Sequence, residues 1–395
     1  MTPVQIAAVA AGALVMSLGL GIRQAFGLFV APLDVTFGIG IATTSLAVAL
    51  HNLSWGFAQP MIGAAADRHG AAPVIAAGAV IFAAGLALPG FHPAGWTLIL
   101  GIGVLTGIGM AALGFSVALA GVSRAFPASQ RSQSAGMVSA GGSLGQMALL
   151  PLAALAIGTW GPGGALVALA GAVLLAFPFG MPIDRAAIAA TGPRPSGAAA
   201  VREALRDRGF ILLTAGFFTC GFQLAFLTTH LPVYLHLCGM PAGLAAGALA
   251  VVGGFNIAGS YAAGLIGARK PPHIVLALVY LARGAAILVF FIAPKTEMGT
   301  LVFAAVMGLL WLGTVPLTST VIARMFGVAN LGILYGIAFL SHQVGSFLGA
   351  LLGGLTFAWT GAYDAIFYAT AAAGVTAALF NLPIRLPAEP RPAVA

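Results

Sequence analysis

Twelve apolar runs, each long enough to cross the hydrocarbon core of a bilayer, leave this chain little freedom in what it can become. They fall near 4–32, 41–63, 73–91, 97–124, 132–158 and 162–182, then near 209–236, 241–267, 273–294, 298–324, 331–358 and 362–384. A backbone in lipid must satisfy its own N–H and C=O groups, so each run reads as a helix. Charged residues make up 6% of the 395, against roughly a quarter in a soluble domain. The expected architecture is an all-α integral membrane protein with twelve transmembrane helices in two six-helix bundles. The first bundle spans 1–183 and the second 209–395, with a short cytoplasmic tail. Between them, 184–208 reads as a solvated cytoplasmic linker, with Pro193, Pro195 and a short surface helix over Ala199–Arg206. The first run lacks a basic leader and exceeds a signal-peptide core, so it is expected to stay as a helix.

The six-plus-six arrangement has an internal echo. Gly21, Ala25, Phe26 and Pro32 match Gly221, Ala225, Phe226 and Pro232 at an offset of 200 residues. Arg124 and Phe126 match Arg324 and Phe326, and Gly136 and Gly145 match Gly336 and Gly345. One constant offset across most of the chain implies duplication, a common plan among secondary transporters. The copies differ at polar positions: Arg23 stands opposite Gln223, and Val30 opposite His230.

Basic residues set the expected orientation. Arg68, Arg124, Arg131, Arg185, Arg194, Arg202, Arg206, Arg208, Arg269, Lys270, Arg324, Arg385 and Arg391 all fall on one side of the alternating topology. Lys295 falls on the other. Lys and Arg are retained in the cytoplasm, which places both termini and the linker inside a bacterial inner membrane. The same bias accounts for the net charge of +8 without a nucleic-acid partner. Lipid, a small solute and protons are the expected partners, and the carrier is expected to work as a monomer. Two cysteines suggest neither a disulfide framework nor a thiolate metal site.

Between the second and third runs lies Gly63-Ala-Ala-Ala-Asp67-Arg68-His-Gly70, which matches Gly-x-x-x-Asp-Arg-x-Gly. Its counterpart, Gly264-Leu-Ile-Gly-Ala-Arg269-Lys270, keeps the Gly and Arg and lacks the Asp. With twelve spans and the inner linker, the chain resembles the major facilitator superfamily. The resemblance implies alternating access, with Asp67 and Arg68 latching the cytoplasmic helix ends in one state. The texture of 21–32 and 221–232 is similar to the bacterial branch near monocarboxylate and oxalate/formate carriers. Those carriers usually have an arginine in the eighth span, where this chain has Asn256 and Ser260, and the acidic opening motif of the monocarboxylate group is missing.

All eight carboxylates lie at span ends, in loops or in the tail, whereas Arg23 and Arg283 lie well inside spans. An arginine in the bilayer core costs at least a few kcal/mol unless it faces water or a partner. An anionic substrate is the missing partner, because the guanidinium fork gives a carboxylate two parallel charge-assisted hydrogen bonds. Arg23, in a cavity-lining first span, is the candidate for that contact, while Arg283, in a peripheral ninth span, has the better case for a structural role. Gln24, Phe26, Asn52, Trp55, Gln146, Gln223, Asn256, Trp311, Tyr335 and Gln343 are the further candidate substrate contacts, each weighed against simple helix packing. Without buried acids, proton coupling falls to imidazoles: His342 first, beside Gln343 and Ser346, then His51 and His230. His230 precedes Pro232 and also suits an outer gate.

No phosphate-binding Gly-x-x-x-x-Gly-Lys-Ser/Thr loop is present, the methionines do not cluster as in a copper carrier, and no cofactor is implied. Separated histidines without acidic partners do not make an enzyme, and a channel more often comes from few spans per subunit. The expected function is secondary active transport of a small organic anion, a monocarboxylate, coupled to protons. Efflux of drugs or neutral metabolites is the alternative.

Overall fold

A computed structural model describes residues 1–39, 41–186 and 197–387. The linker residues Pro193, Arg194 and Pro195 and the tail residues Glu389 and Arg391 lie outside the described residues. The described residues form helices joined by short turns.

The first span is two helices rather than one: α1 (Pro3–Gln24) and α2 (Phe26–Phe37) meet at Ala25, two residues after Arg23. Next come α3 (Ile41–His69) and α4 (Ala71–Phe91). The fourth span is assembled from α5 (Gly95–Leu98), a π-helical stretch (Ile99–Leu105), α6 (Thr106–Leu113) and α7 (Phe115–Ser123). The fifth and sixth spans run on as α8 (Arg131–Leu174), divided where Gly161 takes φ +70°, and α9 (Gly180–Ala186) completes the passage. The expected linker helix is present as α10 (Gly197–Ala204).

The second half repeats the order with α11 (Arg208–Leu237), α12 (Ala242–Arg269) and α13 (Pro272–Ile292). Its tenth span breaks between α14 (Glu297–Leu310) and α15 (Thr314–Phe326), and α16 (Leu331–Thr360) and α17 (Asp364–Asn381) complete it. Among the described residues, nine stretches are long and apolar enough to cross a membrane. The stretch over residues 128–186 holds two passes, and α3 and α17 supply the remaining two of the twelve.

The halves meet along two antiparallel seams. On α3, positions 52, 56, 60, 63 and 67 recur at helical spacing and form one stripe. That stripe faces α16: a Cβ on Gly63 would collide with the Gly332 carbonyl, and one on Gly336 would lie 2.7 Å from the Pro60 Cα. The second seam joins α8 to α12, where a Cβ on Gly136 would lie 2.9 Å from the Gly264 Cα. Glycine is required at these places because the backbones leave no room for a side chain. The offset of 200 residues relates the seams, carrying Ser132, Gly136 and Ser143 of α8 onto Gly332, Gly336 and Gln343 of α16.

Candidate functional site

Arg23 closes the last turn of α1, where a cation complements the exposed carbonyls of the helix end. Its Nη2 donates to Asn52 Oδ1 at 2.7 Å, and the guanidinium lies 5.2 Å from the Trp55 ring centre. Nε is buried without a partner, and no carboxylate reaches the group among the described residues. The arginine is thus aligned by an amide and an indole, neither of which neutralises it.

Asn52 and Trp55 share a face of α3 because they are three residues apart. Beneath them, Trp55 donates from Nε1 to Gln59 Oε1, and Gln59 Nε2 donates to the Ala111 carbonyl at 2.9 Å and to Ser116 Oγ. Gln59 is wholly buried and absent from the sequence-based candidates, although its place one turn beyond Trp55 was the available signal. Phe339 of α16 packs on Trp55 with ring centres 4.7 Å apart, so the aromatic floor crosses the first seam.

From Asn52 a hydrogen-bonded chain runs into the second half. Gln343 Nε2 donates to the Asn52 carbonyl at 3.1 Å, and Gln343 Oε1 lies 3.1 Å from His342 Nδ1. His342 is half-buried and stacks on Phe339 with an interplanar angle of 8°. Arg23, Asn52, Trp55, Gln343 and His342 therefore form one constellation, drawn from three helices of both halves.

The other candidates lie elsewhere. Gln24 is exposed and Gln146 half-buried. Phe26 is buried edge-on against His51, at 5.2 Å between ring centres. His51 itself is buried, with Nδ1 2.8 Å from Thr106 Oγ1 just past the π-helical stretch. Gln223 turns to α17, donating to the Thr370 carbonyl at 2.9 Å, rather than to Arg23. Asn256 spans the second seam, donating to Ser143 Oγ at 2.9 Å while accepting the Leu312 N–H at 3.0 Å. Tyr335 is buried against Phe217. His230 has both ring nitrogens engaged, by the Tyr363 hydroxyl at 3.1 Å and the Ala350 carbonyl at 2.8 Å. Arg283 is wholly buried and donates to the Leu310 and Trp311 carbonyls, clasping the break between α14 and α15. Half-buried Trp311 thus meets Arg283 through its backbone.

At the basic end, Asp67 crosses the first seam to the start of α16. Its carboxylate accepts the N–H groups of Gly332 at 3.1 Å and Ile333 at 2.9 Å, where the helix presents unpaired donors. The cation paired with Asp67 is Arg124, at 3.0 Å, whereas Arg68 is exposed. The two side chains of adjacent residues on a helix point in different directions, so Asp67 and Arg68 meet different surroundings. Arg68 instead lines a 490 Å³ crevice with His69 and Asn330, about 24 Å along α3 from Asn52 at 1.5 Å per residue.

The sequence matches the Major Facilitator Superfamily over residues 9–317. The chain belongs to the major facilitator superfamily. This transporter is similar to the uncharacterized MFS-type transporter YcxA of Bacillus subtilis (strain 168), at 26% identity over 88% of each chain. It is 25% identical to monocarboxylate transporter 13 of Bos taurus, over 89% of this chain and 82% of that one. The solved structure of the E. coli fucose:proton symporter FucP shares its fold, with a TM-score of 0.72 at 14% identity over 94% of this chain and 97% of that one. Membership makes this transporter a secondary carrier of twelve helices in two bundles, and not an enzyme.

Proposed function

We propose that this chain carries a small organic anion, a monocarboxylate, by alternating access coupled to protons. The observation that supports this reading is Arg23: a cation within a membrane-spanning stretch, oriented by Asn52 and Trp55, with Nε unpartnered and no carboxylate on it among the described residues. A carboxylate there gains a charge-assisted pair in a medium where such pairs are strong. The neighbouring rings of Trp55 and Phe339 suit a compact apolar remainder better than a hydroxyl-rich sugar. One relative is named a monocarboxylate transporter, and one fold neighbour is a proton symporter. In this reading His342 carries the proton, and the basic end faces the cytoplasm, as the arginine distribution favours. The domain division proposed from the sequence, 1–183 and 209–395 about a linker, supplies the two rocking bodies.

Thermal unfolding of the purified protein against lactate, pyruvate, amino acids, sugars and cationic drugs tests the substrate class. A bound monocarboxylate at a hundred times its Kd stabilises by about 2.7 kcal/mol. Arg23→Gln is expected to abolish that shift while leaving the unliganded transition in place. Stabilisation by neutral or cationic compounds alone would overturn the anion reading in favour of efflux.

A further inference from the structure

The fourth and tenth spans break at corresponding places. α6 ends at Leu113 and α7 starts at Phe115, with Gly114 in extended backbone between them. α14 ends at Leu310 and α15 starts at Thr314. A helix end leaves its last carbonyls without intrahelical partners, so a buried break needs donors from elsewhere. Ala111 and Trp311 correspond at the offset of 200 residues, and each has its carbonyl held at 2.9 Å by a side chain of another helix.

The two donors are not related by the repeat, and they lead to different places. In the second half the donor is Arg283 of α13, whose Nη1 goes on to Cys220 Sγ at 3.2 Å. In the first half it is Gln59 of α3, and Gly259 stands at the corresponding position, where a Cβ would collide with the Leu309 carbonyl. The scaffold therefore does not itself call for a glutamine there. Gln59 uses its whole amide. Its hydrogens go to the Ala111 carbonyl on α6 and to Ser116 Oγ on α7, on either side of the break, while Oε1 accepts the Trp55 N–H. The indole only donates, so the amide cannot be turned round. The indole edge reaches the break as well: a Cβ on Gly114 would lie 3.3 Å from Trp55 Nε1, and Phe115 stacks on the ring at 6.4 Å and 17°.

We propose that Gln59 is a positioning residue of the substrate site: by fixing the indole N–H it holds the Trp55 ring beneath Arg23, and so sets the affinity of that cation for its anion. Its hydrogen bonds go to Trp55, Ala111 and Ser116 and none to Arg23, so it acts through the indole. The attraction between a guanidinium and an aromatic ring requires the cation over the ring face, and the guanidinium of Arg23 lies over Trp55 at 5.2 Å. A ring anchored in that pose before the anion arrives spares the ligand the cost of ordering it. This proposal rests on the anion reading above.

Lactate binding to the purified full-length protein, titrated by thermal shift, tests the role in two ways. Gln59→Met keeps the side-chain length and removes its hydrogen bonds, and it is expected to weaken lactate binding about tenfold. Benzothienylalanine in place of Trp55 keeps the ring shape but has sulfur where the indole has N–H. It leaves Gln59 and both helix anchors intact, so it tests the contact whether or not Gln59→Met folds. The same loss of about tenfold is expected, and the two changes together should cost no more than either alone. Unchanged lactate affinity with benzothienylalanine at position 55 overturns the positioning role and leaves the anion reading standing. Weakening by Gln59→Met that persists in full beside benzothienylalanine does the same, because the glutamine then acts through the helix break and not the indole. No lactate binding by the unaltered protein overturns the anion reading, and the positioning role with it.

Discussion

The two seams between the halves are related by the repeat, yet among the described residues an ion pair lies on only one of them. Along α3 and α16, Asp67 engages Arg124 and the start of α16, and Gln343 reaches the Asn52 carbonyl beside Arg23. Along α8 and α12, Gly267 stands where Asp67 does, pressed against Ser132, and Ser143 stands where Gln343 does, bound to Asn256. Both backbones approach to glycine contact, so in the alternating-access reading both seams have to part for the basic end to open. The second is held by fit and one neutral hydrogen bond; the first adds a carboxylate that water can also solvate. The repeat relates the geometry of the two seams, and the copies differ in the polar groups they carry. The N-terminal half likewise keeps Arg23 and Asn52 where the C-terminal half has Gln223 and Val252.

The largest effect is expected from wedging the uncharged seam. Gly136→Val places a side chain where even Cβ is 2.9 Å from the Gly264 backbone. Overpacking of this kind costs about 3 kcal/mol, a shift of about a hundredfold toward the state open at the basic end. Spin labels on exposed Gln130 and Lys270 should report a longer distance, with transport lost. An unchanged distance distribution would show that this seam does not gate.

Cutting the charged seam ranks second. Asp67→Ala removes three hydrogen bonds and leaves Arg124 unpaired, worth about 2 kcal/mol after allowance for its partial exposure, or roughly thirtyfold. Labels on Arg68 and Ala329 should separate while the Gln130–Lys270 pair follows, because the halves move as bodies. Separation confined to one seam would break the comparison.

The smallest effect is a pH response that originates at the charged seam. Asp67 lies one turn beyond the apolar segment 41–63, and burial pushes its carboxyl up to about 6, against the opposing pull of Arg124 and the Ile333 and Gly332 N–H groups. Opening returns it to water and to its ordinary value of 3.8. The closed state binds the proton more tightly, so it gains as pH falls through 6, by about tenfold between about pH 7.5 and about pH 5. The distance measurements should show this shift, and Asp67→Asn should abolish it.

The span pattern, the repeat and the one-sided distribution of arginine needed no coordinates, because each follows from what a bilayer tolerates along one helix. Arg23 was legible for the same reason, as a charge the membrane does not accept without cause. Gln59 and Cys220 were not: a lone glutamine or cysteine in an apolar run carries no local penalty large enough to stand out. Their chemistry comes through Trp55 one turn away and Ser116 on α7, or through Arg283 on α13.

The sequence alone therefore determined that the chain spans a membrane twelve times as a doubled unit, and that the charges lying well inside its spans are arginines. Hydropathy and the energetic cost of intramembrane charge are properties of single segments, readable one helix at a time. The tertiary structure decided what each polar group does. It gave Arg124 to Asp67, turned Gln223 to α17, and clasped the α14 break with Arg283. Which partner a side chain meets depends on the rotation and register of neighbouring helices, and those are set by glycine contacts summed over whole seams.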